Sequence, residues 1–465
     1  MTENDYSDIL LTAMKAFKDR QDGMPPVWRP ATELGELLKS THGALPLSGE
    51  GPDAPLTFLL QEVLTRPTGN TSPSFFGWVH GGGDELGIAA AIIASGMNAN
   101  TGGRDHGAVH IERTVIDWML ELFGFTPTSS GVLTQGTSES NLLALAVART
   151  AARRAHSGKT DPRDEIIYVG PDVHDSVTKA ARLLQFGPTR VAGHIDRPGH
   201  LDPLALRRLI RQDRARGLLP TCVTATAGSI DSGASDPFEA VAEVCREEGV
   251  WLHVDGAFGA WLRIAPPPFD EPIRGIEFAD SLAFDFHKWL PVPFAVGALL
   301  VKNRDVHRAT FANEASYLAQ GRALAGGPDW AVNYGIALSR SFSGLAPYLI
   351  LRSHGLRELG QGIAYCVVLA YYFAELIERS HSFALVAPVA GNVVLFEPSA
   401  QTDAAPRAPD VAADLQERGE TVFSTTSLDG RIVLRACFVN HGTRPKHVEQ
   451  AIRELEACAE RASGM

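Results

Sequence analysis

Cysteine is scarce and scattered. The five residues, Cys222, Cys245, Cys366, Cys437 and Cys458, include no CxxC pair. An odd set of this kind fits neither a disulfide framework nor a zinc ribbon, and it suits a reducing compartment. Positive charge is in deficit. Lys and Arg number 42 against 54 Asp and Glu, a net charge of −12. That balance argues against binding nucleic acid or an acidic membrane surface. Long apolar runs are missing. The most apolar early stretch, 88–94, is far short of the ~20 residues a spanning helix needs. The start, MTENDYSDIL, is acidic and polar, with no basic lead into an apolar run. Repeats and low-complexity tracts are absent as well. These absences predict a soluble, cytoplasmic protein with no nucleic-acid or membrane partner.

What is present is ordinary globular chain. Hydrophobic residues make up 45% and charged residues 21% of 465. At ~150 residues per domain, that length suggests about three domains, or two with one large. Residues 1–75 read as a helical extension, with apolar spacing over 7–18, about 33–38 and 56–64, that must pack on the main domain or on a partner subunit. Over 76–345, helical stretches (109–122, 139–154, 176–184, 204–214, 237–248) alternate with short apolar runs (131–133, 165–169, 191–192, 221–226, 251–254, 281–284, 297–301). Such alternation predicts an α/β domain with a mixed, mostly parallel sheet. Residues 346–465 change character. A long helix over 345–379 is followed by strand-like runs (384–386, 393–396, 431–438) and a closing helix over 445–462. This predicts a small α+β domain, with 401–409 as an exposed loop.

The densest chemistry lies in WLHVDGAFG (251–259) and SLAFDFHKWL (281–290). Asp255 closes a buried apolar strand, and the carboxyl ends of strands are where α/β sheets bind ligands. Lys288 follows 33 residues later at the end of another apolar run, beside His287. Apolar surroundings disfavour an ammonium, which frees the amine as a nucleophile. Lysine with a buried aspartate is the pair that pyridoxal phosphate requires: one forms the Schiff base and the other keeps the pyridine nitrogen protonated. Taken singly, each residue also fits a surface role.

Three further segments add to this. In LTQGTSESNLLALAVART (133–150) a glycine turn leads into Thr137, Ser138 and a long helix. Free N–H groups and hydroxyls at a helix start bind phosphate, although the same pattern also reads as a plain N-cap. His174 stands before a helix, as a cap or as a catalytic group. Tyr317 lies in a Gly- and Ala-rich stretch (313–330) with the composition of a mobile loop, as a proton donor or a packing anchor.

With these motifs in place, the chain resembles the group II pyridoxal phosphate-dependent amino acid decarboxylases, the aromatic-L-amino-acid, histidine and glutamate decarboxylase family. TATAGSIDSGASDP (224–237) and SRSFSGLAPYLILRSHG (339–355) strengthen the likeness. The resemblance implies fold-type I, a homodimer with shared active sites, and an amino acid substrate. It implies that Lys288 carries the cofactor and Asp255 meets the ring nitrogen. Ala257 lies under the ring and His174 over it. Thr137, Ser138, His287 and Ser229 join the cofactor site, and Ser339 approaches the phosphate from the other subunit. Tyr317, 29 residues after Lys288, falls where the family keeps its protonating tyrosine, whereas the aldehyde synthases carry phenylalanine. Trp78 and His80 resemble the family's N-terminal stretch at the substrate.

Three departures stand out. Gly256 and Phe258 flank Ala257. Asp285 replaces an asparagine near the phosphate. Asn98, Asn100 and Arg104 make a wall polar where animal aromatic decarboxylases are apolar. The expected reaction is decarboxylation to an amine, with an aldehyde synthase or another carbon–carbon lyase as the alternative. Two weaker readings come from other classes. HGGG (80–83) with GTSES (136–140) partly matches an α/β hydrolase. His106 and His110 have the spacing of a metal pair but no HExxH glutamate. No metal is expected.

Overall fold

The computed structural model describes residues 11–12, 14–15, 32–156, 160–194, 199–312, 330–399 and 407–462. Seven strands form the main sheet: β1 (Ser130–Thr134), β2 (Glu165–Val169), β3 (Arg190–Val191), β4 (Leu219–Thr226), β5 (Trp251–Asp255), β6 (Ser281–Asp285) and β7 (Gly297–Val301). Their order is β1-β7-β6-β5-β4-β2-β3, and only β7 runs against its neighbours. β2 and β4 to β7 are buried almost throughout, as near-continuous apolar runs covered on both faces require. The expected mixed, mostly parallel sheet is therefore present, with β2 and β7 at their expected limits and the other strands within one or two residues of theirs.

The Thr137–Ala155 helix lies across β4 to β7 on one face. Against the other pack Gly107–Leu122, Pro203–Ala215 and Phe238–Glu248. A ring cluster under the sheet anchors β6. Trp261 meets Phe284 edge-on at 5.4 Å, Phe123 stands 5.1 Å from Phe284, and all three are fully buried. The Trp261 indole N–H also donates to the Asp285 carbonyl at 2.7 Å, which fixes the end of β6.

The small antiparallel sheet has the order β10-β11-β9-β8, from β8 (Phe383–Leu385), β9 (Val393–Pro398), β10 (Ser424–Leu428) and β11 (Arg431–Cys437). The helix Ala408–Arg418 packs on β10 and β11, and the helix Pro445–Ala462 packs on it and on the long helix Leu345–Glu378. β10 and Ala408–Arg418 were not expected. Pro409, assigned to a loop, lies in that helix's first turn, where its missing N–H has no cost. The Leu345–Glu378 helix kinks at Gly355, whose φ is 73°. It is apolar and long enough to cross a membrane, yet Ile350, Ile363, Ala370 and Phe373 lie fully inside the core.

N-terminal to the main sheet stand the Thr32–His42 and Asp53–Phe58 helices. The chain then runs along the small sheet, with Phe76 N–H donating to Val422 and Cys437 N–H to Phe76. Asn440 and Thr443 hold the carbonyls of Ser72 and Pro73. This strap ends over the lysine-bearing turn. A Cβ at Gly81 would stand 2.6 Å from the His287 carbonyl oxygen and 2.7 Å from that of Lys288, so only glycine fits there.

Candidate active site

A cavity of about 400 Å³ opens at the carboxyl ends of β5 and β6. Asp255, Ala257, Lys288, His174 and the helix start at Thr137 and Ser138 line it together. The sequence had scattered these residues over more than 150 positions.

Strand alternation builds the Asp255 end. Trp251, His253 and Asp255 share one face of β5, the face turned toward the Thr137–Ala155 helix. Asn141 on that helix donates from Nδ2 to Asp255 Oδ2 at 2.8 Å and to Ser176 Oγ at 2.9 Å. Its Oδ1 faces His253 Nε2 at 2.9 Å. Burial holds His253 down at about 4, so the ring is neutral at pH 7. The orientation of each member follows. Nε2–H donates to Asn141, and Nδ1 accepts from Ser281 Oγ at 2.9 Å. The Trp251 indole N–H supplies Ser281 Oγ in turn, at 2.8 Å. At the other end, the Ser176 N–H donates to His174 Nδ1 at 3.2 Å and its hydroxyl lies 2.8 Å away. That leaves the His174 hydrogen on Nε2. Asp255 is 3% exposed, and its other oxygen accepts the Ala257 N–H at 3.2 Å. Its donors are neutral.

The lysine end is built differently. Asp285, 2% exposed, accepts the Thr137 N–H at 2.7 Å through Oδ1. Its Oδ2 lies 3.1 Å from Lys288 Nζ. A Cβ at Gly297 would come within 2.6 Å of Asp285 Oδ1, so glycine there leaves room for the carboxylate. His287 Nδ1 accepts the Val296 N–H at 3.0 Å, and burial holds this histidine below the usual imidazole range. The Phe294 ring lines this end, with other rings stacked behind it. Phe294 stands 4.3 Å from His287 and 5.5 Å from His80, and His80 stacks near Phe75 and Trp78. Burial, then the charges of Lys288 and His287, lower the His80 pKa.

Other expected residues lie elsewhere. Ser229 is buried and donates to Asp172 Oδ2 at 3.2 Å, behind the cavity floor. Asn98 is an exposed helix cap. Asn100 is exposed and accepts the Gly102 and Arg340 N–H groups, and Ser339 is exposed. The chain thus brings none of these last three to its own Lys288. Tyr317 lies outside the described residues. His106 and His110 turn to the Asn100 carbonyl and to Asp105. Ser140 stands where the hydrolase motif needs its last glycine and is buried against Thr134, while Ser138 lies exposed in the first turn of the Thr137–Ala155 helix. A larger cavity of about 820 Å³ beside Glu112 and Arg340 contains neither Lys288 nor Asp255.

Residues 61–398 match the family model of the pyridoxal-dependent decarboxylase conserved domain. The chain belongs to this family. It is 31% identical to an aromatic-L-amino-acid decarboxylase of Bacillus atrophaeus, over 90% of this chain and 88% of that protein. A 4-hydroxyphenylacetaldehyde synthase of Rhodiola rosea is 27% identical over 93% and 90%. The crystal structure of Oryza sativa TDC with PLP and tryptamine superposes with a TM-score of 0.89 at 26% identity, over 99% of both chains. This decarboxylase is thus an amino acid carboxy-lyase of fold-type I with pyridoxal phosphate as cofactor.

The pocket fits that cofactor. Asp255 is a buried carboxylate with only neutral hydrogen-bond donors, which suits a protonated ring nitrogen. Thr137 Oγ1 is buried without a partner among the described residues, beside the helix start where a phosphate would sit. Thr226 Oγ1 is likewise unpartnered near Asp255. Sequence reasoning missed Asn141, Ser176 and His253. His253 was detectable, since it lies two residues before Asp255 and shares its strand face.

Proposed function

We propose that this decarboxylase converts an aromatic L-amino acid to the corresponding amine. The observation that carries the substrate class is the Phe294 ring in the lining of the Lys288 pocket, with the His80 ring 5.5 Å from it and Trp78 and Phe75 stacked behind. The aromatic relatives support it.

When bound, pyridoxal phosphate supplies an electron sink for the pair left at the substrate's Cα as carbon dioxide departs. The chain's own groups do the rest. Lys288 Nζ would hold the cofactor covalently, at the pocket position shared with Asp255. Asp255, oriented by Asn141 and the Ala257 N–H, would pair with the ring nitrogen and keep a proton there. Ala257 would pack against one face of the ring, and His174, its hydrogen on Nε2, would cover the other and donate to the substrate carboxylate. Thr137 Oγ1, Ser138 and the helix N-terminus hold the phosphate, with His287 alongside. Tyr317 delivers the proton to Cα, which favours the amine over an aldehyde.

A second copy of the chain belongs to this reading. Ile93, Met97, Ile336 and Leu338 are exposed large apolar side chains, each 37% exposed or more. Isolated exposure of this kind is common, but here it accompanies Asn98, Asn100 and Ser339, site residues that only another subunit's pocket could use. All five cysteines are free and buried, which agrees with a reducing, cytoplasmic setting.

Carbon dioxide release is the test, run against aromatic, acidic and basic L-amino acids and histidine, with amine and aldehyde both quantified. Release with aromatic substrates and amine as product supports the reading. Aldehyde with matching hydrogen peroxide would assign the synthase reaction instead, and preference for an acidic substrate would overturn the argument from these rings.

A further inference from the structure

Asp285 presents a physical problem. It stands at the N-terminus of the Thr137–Ala155 helix, where a phosphate dianion would bind, and a bare carboxylate there would repel it. Its surroundings resolve this. Oδ1 is satisfied by the Thr137 N–H at 2.7 Å, and Oδ2 lies 3.1 Å from Lys288 Nζ. The carboxylate is held in place, because the Trp261 indole fixes the Asp285 carbonyl and the Thr137 N–H fixes Oδ1.

We propose that Asp285 is the resting partner of the Lys288 side chain. It holds the ammonium whenever Nζ is not bonded to cofactor, and the neutral pair removes the repulsion at the phosphate end. Asp255 does not share this role. Its oxygens are engaged by Asn141 and Ala257, and the contact recorded for Lys288 is with Asp285. During turnover the substrate amine frees Lys288, and a carboxylate within reach gives the departing amine a fixed position from which to return. Asp285 is thus a positioning residue. The inference rests on the family's cofactor and not on which amino acid is decarboxylated.

The other charged or titratable groups around the pair come from each packed element. His287 Nε2 lies 3.8 Å from Asp285 Oδ2. His80 and Cys437 both feel the Lys288 charge, and Asp255 and His174 line the same cavity. None of these lies within hydrogen-bond distance of Lys288 Nζ among the described contacts.

The test uses the full chain stripped of cofactor, with two readouts. The first is the rate at which an amine-acylating reagent modifies Lys288 at pH 8, read by peptide mass mapping. Asp285→Asn keeps the hydrogen-bond acceptor for Thr137 but removes the carboxylate that engages Nζ at 3.1 Å, so modification should quicken by about tenfold or more. The second is the affinity for inorganic phosphate. Asp285→Asn leaves the lysine charge unopposed and should bind phosphate about tenfold more tightly. Lys288→Ala leaves the carboxylate unopposed and should bind it about tenfold more weakly. A purely structural role for Asp285 would not give opposite signs. An unchanged modification rate in Asp285→Asn, or phosphate shifts of the same sign in both variants, would overturn the proposal. If Asp285→Asn does not fold, Lys288→Arg and Lys288→Gln decide it: Arg should keep the wild-type phosphate affinity and Gln should lose it. Equal affinities would refute the pair. Whether the substrate is aromatic leaves both readouts untouched, so the two claims fail separately.

Discussion

Asp255 and Asp285 end adjacent parallel strands and are almost equally buried, yet the chain treats them differently. Asp255 is met by an amide and a backbone N–H, both neutral. Asp285 is met by a helix N–H and an ammonium. A buried carboxylate needs hydrogen bonds or a counter-charge to stay ionised. The first has hydrogen bonds alone, so its charge is still available to an incoming cation. The second is already matched from within the chain. Position at a strand end therefore does not assign a role, and the neighbours' charge does.

The comparison can be broken most severely at the lysine. Lys288→Ala should reduce carbon dioxide release at least ~10⁴-fold and abolish the visible absorbance of bound cofactor. Survival of that band would remove Lys288 from the site. Next comes Asp255→Asn, which keeps the shape but loses the charge. Turnover should fall about 10²- to 10⁴-fold with cofactor still bound. A loss below about tenfold would mean that the neutral shell is not there to keep a charge available.

Acid sharpens the contrast. His253 must stay neutral to accept the Ser281 hydroxyl at Nδ1, and its folded pKa of about 4 lies below the ordinary 6.5. Its contribution to stability is therefore complete above pH 6.5 and is lost as the pH falls through 4, on the order of 3 kcal/mol in all. Denaturant melts between pH 7 and 4 should show this slope, and His253→Gln should flatten it. Equal slopes in the two proteins would show that the ring does not titrate as described. The smallest effect belongs to Asn141→Leu. It leaves Ser176, His253 and Asp255 short of a partner and should lower stability by about 2 kcal/mol, read as a fall in the thermal midpoint.

Much of this was legible beforehand. β2 and β7 and the closing helix coincide with their expected limits, because strong apolar runs and clear periodicity mark them. Asp255 and Lys288 were found through their strand-end context, and the structure brings them into one cavity. β10 was not legible. Its sequence, STTSL, alternates buried and exposed residues with almost no apolar signal, and it pairs because β11 presents an edge. Asn141 was overlooked because the helix start drew attention to phosphate, while its contacts depend on β5, more than 100 residues away. Asn98 and Asn100 sit on a segment whose direction relative to Lys288 no linear pattern encodes.

The one reversed strand in the main sheet has a mechanical result. Because β7 runs back along β6, the turn that bears Lys288 is clamped at both ends, with Phe286 N–H donating to the Val296 carbonyl and His287 gripping the Val296 N–H. Gly81 presses on it from above. A side chain mounted on such a fixture cannot retreat by backbone movement. Its whole travel between cofactor and carboxylate comes from rotation about the bonds from Cα to Nζ, so the throw of the catalytic stroke is set by the length of a lysine.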